Sequence, residues 1–188
     1  MKGFWSVMSI KVLFVCHGNI CRSVMAQYMF QDMVNMEGRG DDFIIDSAAT
    51  STEEIGNPIY PPARRLLVAH GTPIGDHRAR QMTQADYEYF DYLLGMDDEN
   101  IHYMRRIASG ETGSFYGWTG TDRYRGDPDD LLQADPQHKI YKILEYAGKD
   151  DSISDPWYDG SFEKTYQDLI LGLHAFLDHL YPPKKSAQ

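Results

Sequence analysis

From residue 10 the chain reads IKVLFV, an apolar and branched run interrupted only by Lys11. Such a run predicts a short strand buried on both faces. A polar, glycine-containing turn follows at 16–22. From Ser23 to about Met36, apolar side chains recur at Val24, Tyr28, Met29, Met33 and Met36, the spacing of a helix closed by Gly38-Arg39-Gly40. The alternation then repeats. DFIID at 42–46 predicts a second strand. Asn57 and Pro58 open a helix carrying Ala63, Leu66, Leu67 and Ala69, which stops at Gly71. YLLGM at 92–96 predicts a third strand, with a helix starting at 97–100 and running to Ile107. IYKIL at 140–144 predicts a fourth strand, and a last helix runs from about Phe162 to Tyr181.

Strands alternating with helices imply an α/β fold: an open, doubly wound parallel sheet of about four strands with helices on both faces. Ligands of such sheets sit beyond the carboxyl ends of the strands, and the turn at 16–22 occupies that place. Residues 109–139 break the rhythm, being rich in Gly, Asp, Tyr and Pro. A segment of this kind is long for a plain connection and reads as an insertion, whether lid, partner surface or partly ordered loop. The expected organisation is an extension at 1–9, a single domain at 10–181 containing the insertion, and a polar tail at 182–188.

Composition narrows the class. A chain of 188 residues, 42% hydrophobic, suits one well-buried core. No apolar run approaches the ~20 residues of a membrane span, and the first residues lack the apolar stretch and cleavage site of a signal peptide. A cytoplasmic location is expected. The net charge of −10 argues against nucleic acid as a partner, yet leaves room for a local anion site built from backbone N–H groups and one arginine. The two cysteines, Cys16 and Cys21, are too few and too close for a secreted disulfide framework.

Both thiols lie in FVCHGNICRS at 14–23. If the strand ends before Cys16 and a helix follows, the N–H groups from His17 to Arg22 curl around the positive end of that helix. Gly18 permits the tight turn, and Arg22 can grip two oxygens of a tetrahedral dianion. Cys16 then faces the bound phosphate as a thiolate, poised for displacement at phosphorus. Two blander readings stand beside this one: a small buried cysteine near a surface arginine, and a metal site of Cys16, His17 and Cys21. The C-x4-C spacing has no second ligand pair, so no metal is expected. Displacement of an alkoxide or phenoxide needs a proton donor. Asp155, in SDPWYDG at 154–160, is the candidate, the alternative being an ordinary Asp-Pro turn.

With these motifs in place the chain resembles the low-molecular-weight protein tyrosine phosphatases. VLFVCHGNICRS (12–23) is similar to their phosphate-binding loop and DPWYDG (155–160) to their acid loop. SAATS (47–51), IGNP (55–58), DHRARQ (76–81) and MDDEN (96–100) fall between them in the family's order. The resemblance implies Cys16 as nucleophile, Arg22 as phosphate clamp and Asp155 as general acid and later base. It implies a phosphate-binding loop of His17, Gly18, Asn19, Ile20, Cys21, Arg22 and Ser23, with Ser23 steadying the thiolate. Asn19 would hold the loop's strained turn, supported by Ser47 and His77. Cys21 matches a residue able to form a reversible disulfide with the nucleophile, while simple packing accounts for it equally well.

The chain also departs from the family. His17 stands where an apolar residue is common, and Val24 where proline is. Glu53 occupies a rim position where many relatives carry an aromatic, leaving Trp157 and Tyr158 as the aromatic rim, with Tyr116 and Trp118 of the insertion as further candidates. The expected activity is hydrolysis of phosphorylated proteins or small phosphomonoesters through a phosphocysteine, with no cofactor. Ile20 matches the tyrosine-directed loops rather than the phosphoarginine-directed ones. The alternatives are a phosphate- or phosphoprotein-binding module that performs no chemistry, and arsenate reduction. The latter normally uses cysteines outside the loop, and none exists here. Oligomeric state is left open.

Overall fold

The computed structural model describes residues 9–113 and 133–182. The chain runs β1 (Ile10–Cys16), α1 (Arg22–Met36), a 3₁₀ turn (Gly40–Asp42), β2 (Phe43–Ala49), α2 (Pro61–Ala69) and α3 (Gln84–Tyr89). It continues β3 (Tyr92–Gly95), α4 (Asp98–Ala108), β4 (Ile140–Lys142), a second 3₁₀ turn (Ile143–Ala147), α5 (Pro156–Asp159) and α6 (Phe162–Leu180). The four strands form one sheet in the order β2-β1-β3-β4, and every pairing is parallel.

Strand β1 lies at the centre, and its period-two alternation divides the core. Val12, Phe14 and Cys16 pack with α1, α2 and α6 on one face. Leu13 and Val15 pack with Met82, Tyr87, Tyr103, Met104 and Ile107 on the other. Helices therefore cover both faces, as the alternating pattern predicts. Phe30 of α1 anchors the first layer, its ring centroid 5.8 Å from Phe14, 5.4 Å from Phe43 and 5.4 Å from Phe176. Pairing of Cys16 with Ala49 and of Val15 with Gly95 brings the carboxyl ends of β1, β2 and β3 level, which sets the platform for the site. Among the described residues no helix is long and apolar enough to cross a membrane.

Three local expectations are corrected, and one helix was not expected. The helix expected to open at Asn57 and Pro58 starts at Pro61. Pro61 bars its predecessor from the helical region, Tyr60 has ψ 130°, and the two prolines fill the first turn, where no N–H is needed. The fourth strand ends at Lys142 rather than Leu144, because Glu145 turns back to accept from Lys142 N at 3.1 Å and starts a 3₁₀ turn. Strand β2 runs on through Ser47, Ala48 and Ala49, beyond the expected end at Asp46. Helix α3 went unpredicted: too short for periodicity, it is nucleated by a capping box between Thr83 and Asp86.

Much of the expected insertion, residues 114–132 including Tyr116 and Trp118, lies outside the described residues, as do residues 1–8 and 183–188. Its described end is tied to the core. Asp135 accepts from Tyr87 Oη at 2.8 Å, Lys139 N at 2.9 Å and Ile140 N at 3.1 Å.

Helix α6 approaches the second 3₁₀ turn at Gly172. A Cβ there would sit 2.8 Å from Ile143 Cγ1 and 3.3 Å from Ile143 O. In Gly172→Ala, overpacking against the fully buried Ile143 costs about 1–3 kcal/mol and outweighs the helix-propensity gain of about 1 kcal/mol. Urea denaturation should show a less stable variant, and a more stable one would contradict this packing.

Candidate active site

The loop joining β1 to α1 is shaped from outside. Its carbonyls are taken by neighbours: Cys16 O by Thr50 N (2.8 Å), His17 O by Ser51 N (3.0 Å), Ile20 O by Tyr60 N (2.9 Å) and Asn19 O by His77 Nε2 (2.7 Å). The amide N–H of Asn19 points to Cys16 Sγ at 3.3 Å. The N–H groups of His17, Gly18, Ile20 and Cys21 donate to none of the described residues. Backbone donors away from water rarely go unpaired, and a group of them ahead of a helix is the arrangement that can receive an anion.

Asn19 makes the turn, at φ 57°, in the left-handed region that Asn tolerates better than other side-chain-bearing residues. Fully buried, it has every polar group engaged. Nδ2 donates to Ser23 Oγ (2.9 Å) and Ser47 Oγ (2.8 Å), and Oδ1 accepts from Arg80 N (3.1 Å). Ser47 in turn donates to Gln27 Oε1 at 2.6 Å. Ser23 Oγ lies 3.1 Å from Cys16 Sγ. Since Ser23 already accepts from Asn19, its O–H is free to donate to a thiolate.

Arg22 is buried and spans two carboxylates. Nη1 donates to Asp97 Oδ2 at 2.5 Å and Ile153 O at 3.0 Å, while Nη2 donates to Asp155 Oδ2 at 2.6 Å. Its Nε has no partner among the described residues. Burial opposes the charge, but Asp97 and Asp155 outweigh it and hold the guanidinium's pKa above its ordinary value. Both acids are helix N-caps. Asp97 Oδ1 accepts from Asn100 N at 2.7 Å, and Asp155 Oδ1 accepts from Trp157 N at 3.0 Å. The cap uses one oxygen and so aims the other at Arg22.

Cys16, His17, Gly18, Ile20, Cys21, Arg22, Glu53, Asp155, Trp157 and Tyr158 all line one cavity of about 140 Å³, with Glu54. Asn19, Ser23, Ser47 and His77 do not line it; they bond to one another around the loop, Asn19 to Ser23 and Ser47 and His77 to the Asn19 carbonyl. Ile20 and Cys21 pack with Ala79 beneath the loop. Burial, then the charges of Cys16 and Asp155, push the Cys21 thiol well above its ordinary range, so Cys21 stays protonated at neutral pH. The acid loop forms the short helix α5, leaving Trp157 and Tyr158 exposed. Sequence reasoning missed the contacts of Asp97, Arg80 and Gln27. Asp97 had a visible signal: an N-cap directly after β3, at the same sheet edge as Cys16.

The fold and the loop define a class: parallel α/β proteins whose β1 runs through a loop with free N–H groups into a helix. Comparisons with known proteins narrow it. The family described as "Low molecular weight phosphotyrosine protein phosphatase" matches residues 11–116. A mouse protein of that name is 36% identical over 177 residues, covering 93% of this chain and 98% of its own. The crystal structure of YfkJ from Bacillus subtilis superposes with a TM-score of 0.75 at 29% identity, covering 98% of this chain and all of that one. That of DARP, a Drosophila arginine phosphatase, gives 0.73 at 28% identity, covering 95% of this chain and all of its own. The chain belongs to the low molecular weight phosphotyrosine protein phosphatase family, whose members are cysteine-dependent phosphatases.

His77 links the loop to folding. A carbonyl can only accept, so the Nε2 facing Asn19 O carries a proton. Burial lowers the imidazole pKa below its ordinary 6.5, the Asn19 carbonyl and Asp46 opposing only in part. As pH falls from above that value, the unfolded chain binds a proton that the folded one resists, so the stability contributed by neutral His77 is lost. In urea titrations between about pH 7.5 and 5.5, wild type should lose more stability than His77→Asn. Equal losses would contradict the role of burial.

Proposed function

We propose that this chain hydrolyses phosphomonoesters, with phosphotyrosine in proteins as its main substrate, through a phosphocysteine on Cys16. The observation that carries the reading is the set of loop N–H groups that donate to none of the described residues. Arg22 Nε likewise has no partner among them, and in the same loop Asn19 N lies 3.3 Å from Cys16 Sγ. A phosphate dianion satisfies these donors, and its phosphorus then faces the sulfur.

Cys16 Sγ attacks phosphorus, forming S–P as the bond to the phenol oxygen breaks. Protonated Asp155 gives its proton to that oxygen. Phosphoryl oxygens take over the Nε and Nη2 side of Arg22, releasing Asp155 toward the leaving group, while Asp97 keeps Nη1. In the second step Asp155, now a carboxylate, takes a proton from water. The water oxygen bonds to phosphorus, S–P breaks, and inorganic phosphate and the thiolate are released. The loop amides stabilise the charge on the equatorial oxygens in both steps, and Asn19, Ser23, Ser47 and His77 hold the loop.

Trp157 and Tyr158 offer aromatic faces for the phenyl ring. Ile20, of the residue type that the resemblance associates with tyrosine-directed loops, supports phosphotyrosine over phosphoarginine. With both cysteines free and one of them the proposed nucleophile, a reducing, cytoplasmic setting fits.

Assays with p-nitrophenyl phosphate and with phenyl phosphates of graded leaving-group pKa test the roles. Cys16→Ser should lose turnover while still binding phosphate. Asp155→Ala should lose about 10²–10⁴-fold on poor leaving groups and much less on good ones. Turnover retained by Cys16→Ser, or equal loss across leaving groups, would contradict the assignment.

A further inference from the structure

The walls of the bowl are not equivalent. The segment of α5 brings Trp157 and Tyr158, 52% and 85% exposed. The segment after β2 brings Glu53 and Glu54. That segment is latched to the phosphate loop by the bonds from Thr50 N and Ser51 N to Cys16 O and His17 O, so its side chains keep their place at the mouth.

The two carboxylates are also held individually. Glu53 Oε2 lies 2.7 Å from His17 Nε2, with the Glu53 side chain 48% exposed. Glu54 Oε2 accepts from Asn57 Nδ2 at 2.6 Å, and its Cγ rests where a Cβ on residue 18 would come within 3.2 Å. Gly18 thus leaves room for Glu54 to lie over the loop. Among the described residues lining the bowl, Arg22 is the one lysine or arginine, and it is buried at the floor. The floor thus holds the Arg22 guanidinium, while the rim carries two carboxylates, Glu53 beside the His17 ring and Glu54 beside Asn57, on a chain whose net charge is −10.

Building on the phosphotyrosine reading above, we propose that Glu53 and Glu54 make the rim a charge filter, selecting phosphotyrosine segments with lysine or arginine beside the phosphorylated residue. The aromatic ring descends between the two walls, and the flanking residues stay at the mouth. A basic neighbour there meets the glutamates and lays its aliphatic stem along Tyr158. An acidic neighbour meets like charge. Rim charges of this kind act on encounter and specificity more than on the chemical step, and salt screens them.

The test uses two phosphotyrosine peptides differing only in lysine or glutamate on either side of the phosphotyrosine, with p-nitrophenyl phosphate as reference. At low salt, wild type should favour the lysine peptide by roughly tenfold in kcat/KM. In the Glu53→Gln/Glu54→Gln double variant, and for wild type at about 0.5 M salt, the preference should shrink to about twofold or less. Equal kcat/KM for both peptides, with p-nitrophenyl phosphate still hydrolysed, overturns the charge filter alone. So does a lysine preference that survives both the double substitution and high salt. Failure of wild type on p-nitrophenyl phosphate and both peptides overturns the phosphatase reading beneath it.

Discussion

The site depends on a single backbone turn. Asn19 sits at a positive φ, a conformation costing a side-chain-bearing residue roughly 1–2 kcal/mol. Five contacts hold it there: its amide on Cys16 Sγ, its side chain on Ser23 and Ser47, Arg80 N on its Oδ1, and His77 on its carbonyl. Each replaces a bond to water that the fully buried residue cannot make. The outer partners claim the loop's carbonyls, while the N–H groups of His17, Gly18, Ile20 and Cys21 donate to none of the described residues. The proposed anion site follows from where the carbonyls go. The contacts also span the chain from β1 to the segment before α3, so the site forms only when the sheet does.

The second constraint is the division of Arg22 between two helix caps. A buried guanidinium must be paired, and Asp97 and Asp155 supply two charges at opposite ends of its fork. Asp97 caps the eleven-residue α4, a firm element. Asp155 caps only the four-residue α5, which carries the exposed Trp157 and Tyr158. The asymmetry matches the proposed roles: one acid stays to aim the arginine, and the other gives way when phosphate arrives. In the proposed reading, Glu53 and Glu54 at the rim act on the choice of segment and Arg22 at the floor on the phosphate.

Much of this was legible in the chain itself. IKVLFV followed by a turn and a helical pattern placed Cys16 just beyond the first strand, which the structure extends through Cys16. Cys-x5-Arg-Ser with a distant Asp-Pro named groups that line one cavity. Gly18 was expected to permit the tight turn and Asn19's part came from the resemblance, but the positive φ falls on Asn19, and Gly18 instead leaves room for Glu54. What could not be read was set by tertiary contacts. Gln27 touches Ser47 only because α1 packs beside β2. Arg80 reaches Asn19 only because the segment after α2 pairs with the end of β2, where Ala49 bridges Gln81. The early stop of β4 and the late start of α2 were decided by a glutamate turning back and by a proline pair, both weaker signals than hydrophobic period.

The most direct check on the central claim is to trap the intermediate. Rapid acid quench during turnover of a phosphotyrosine peptide, followed by peptide mapping, should find the phosphoryl group on the fragment containing Cys16. It should be bound through sulfur, and absent when Cys16→Ser is treated alike. Turnover without any enzyme-bound phosphoryl group, or a group attached to another residue, would contradict the account.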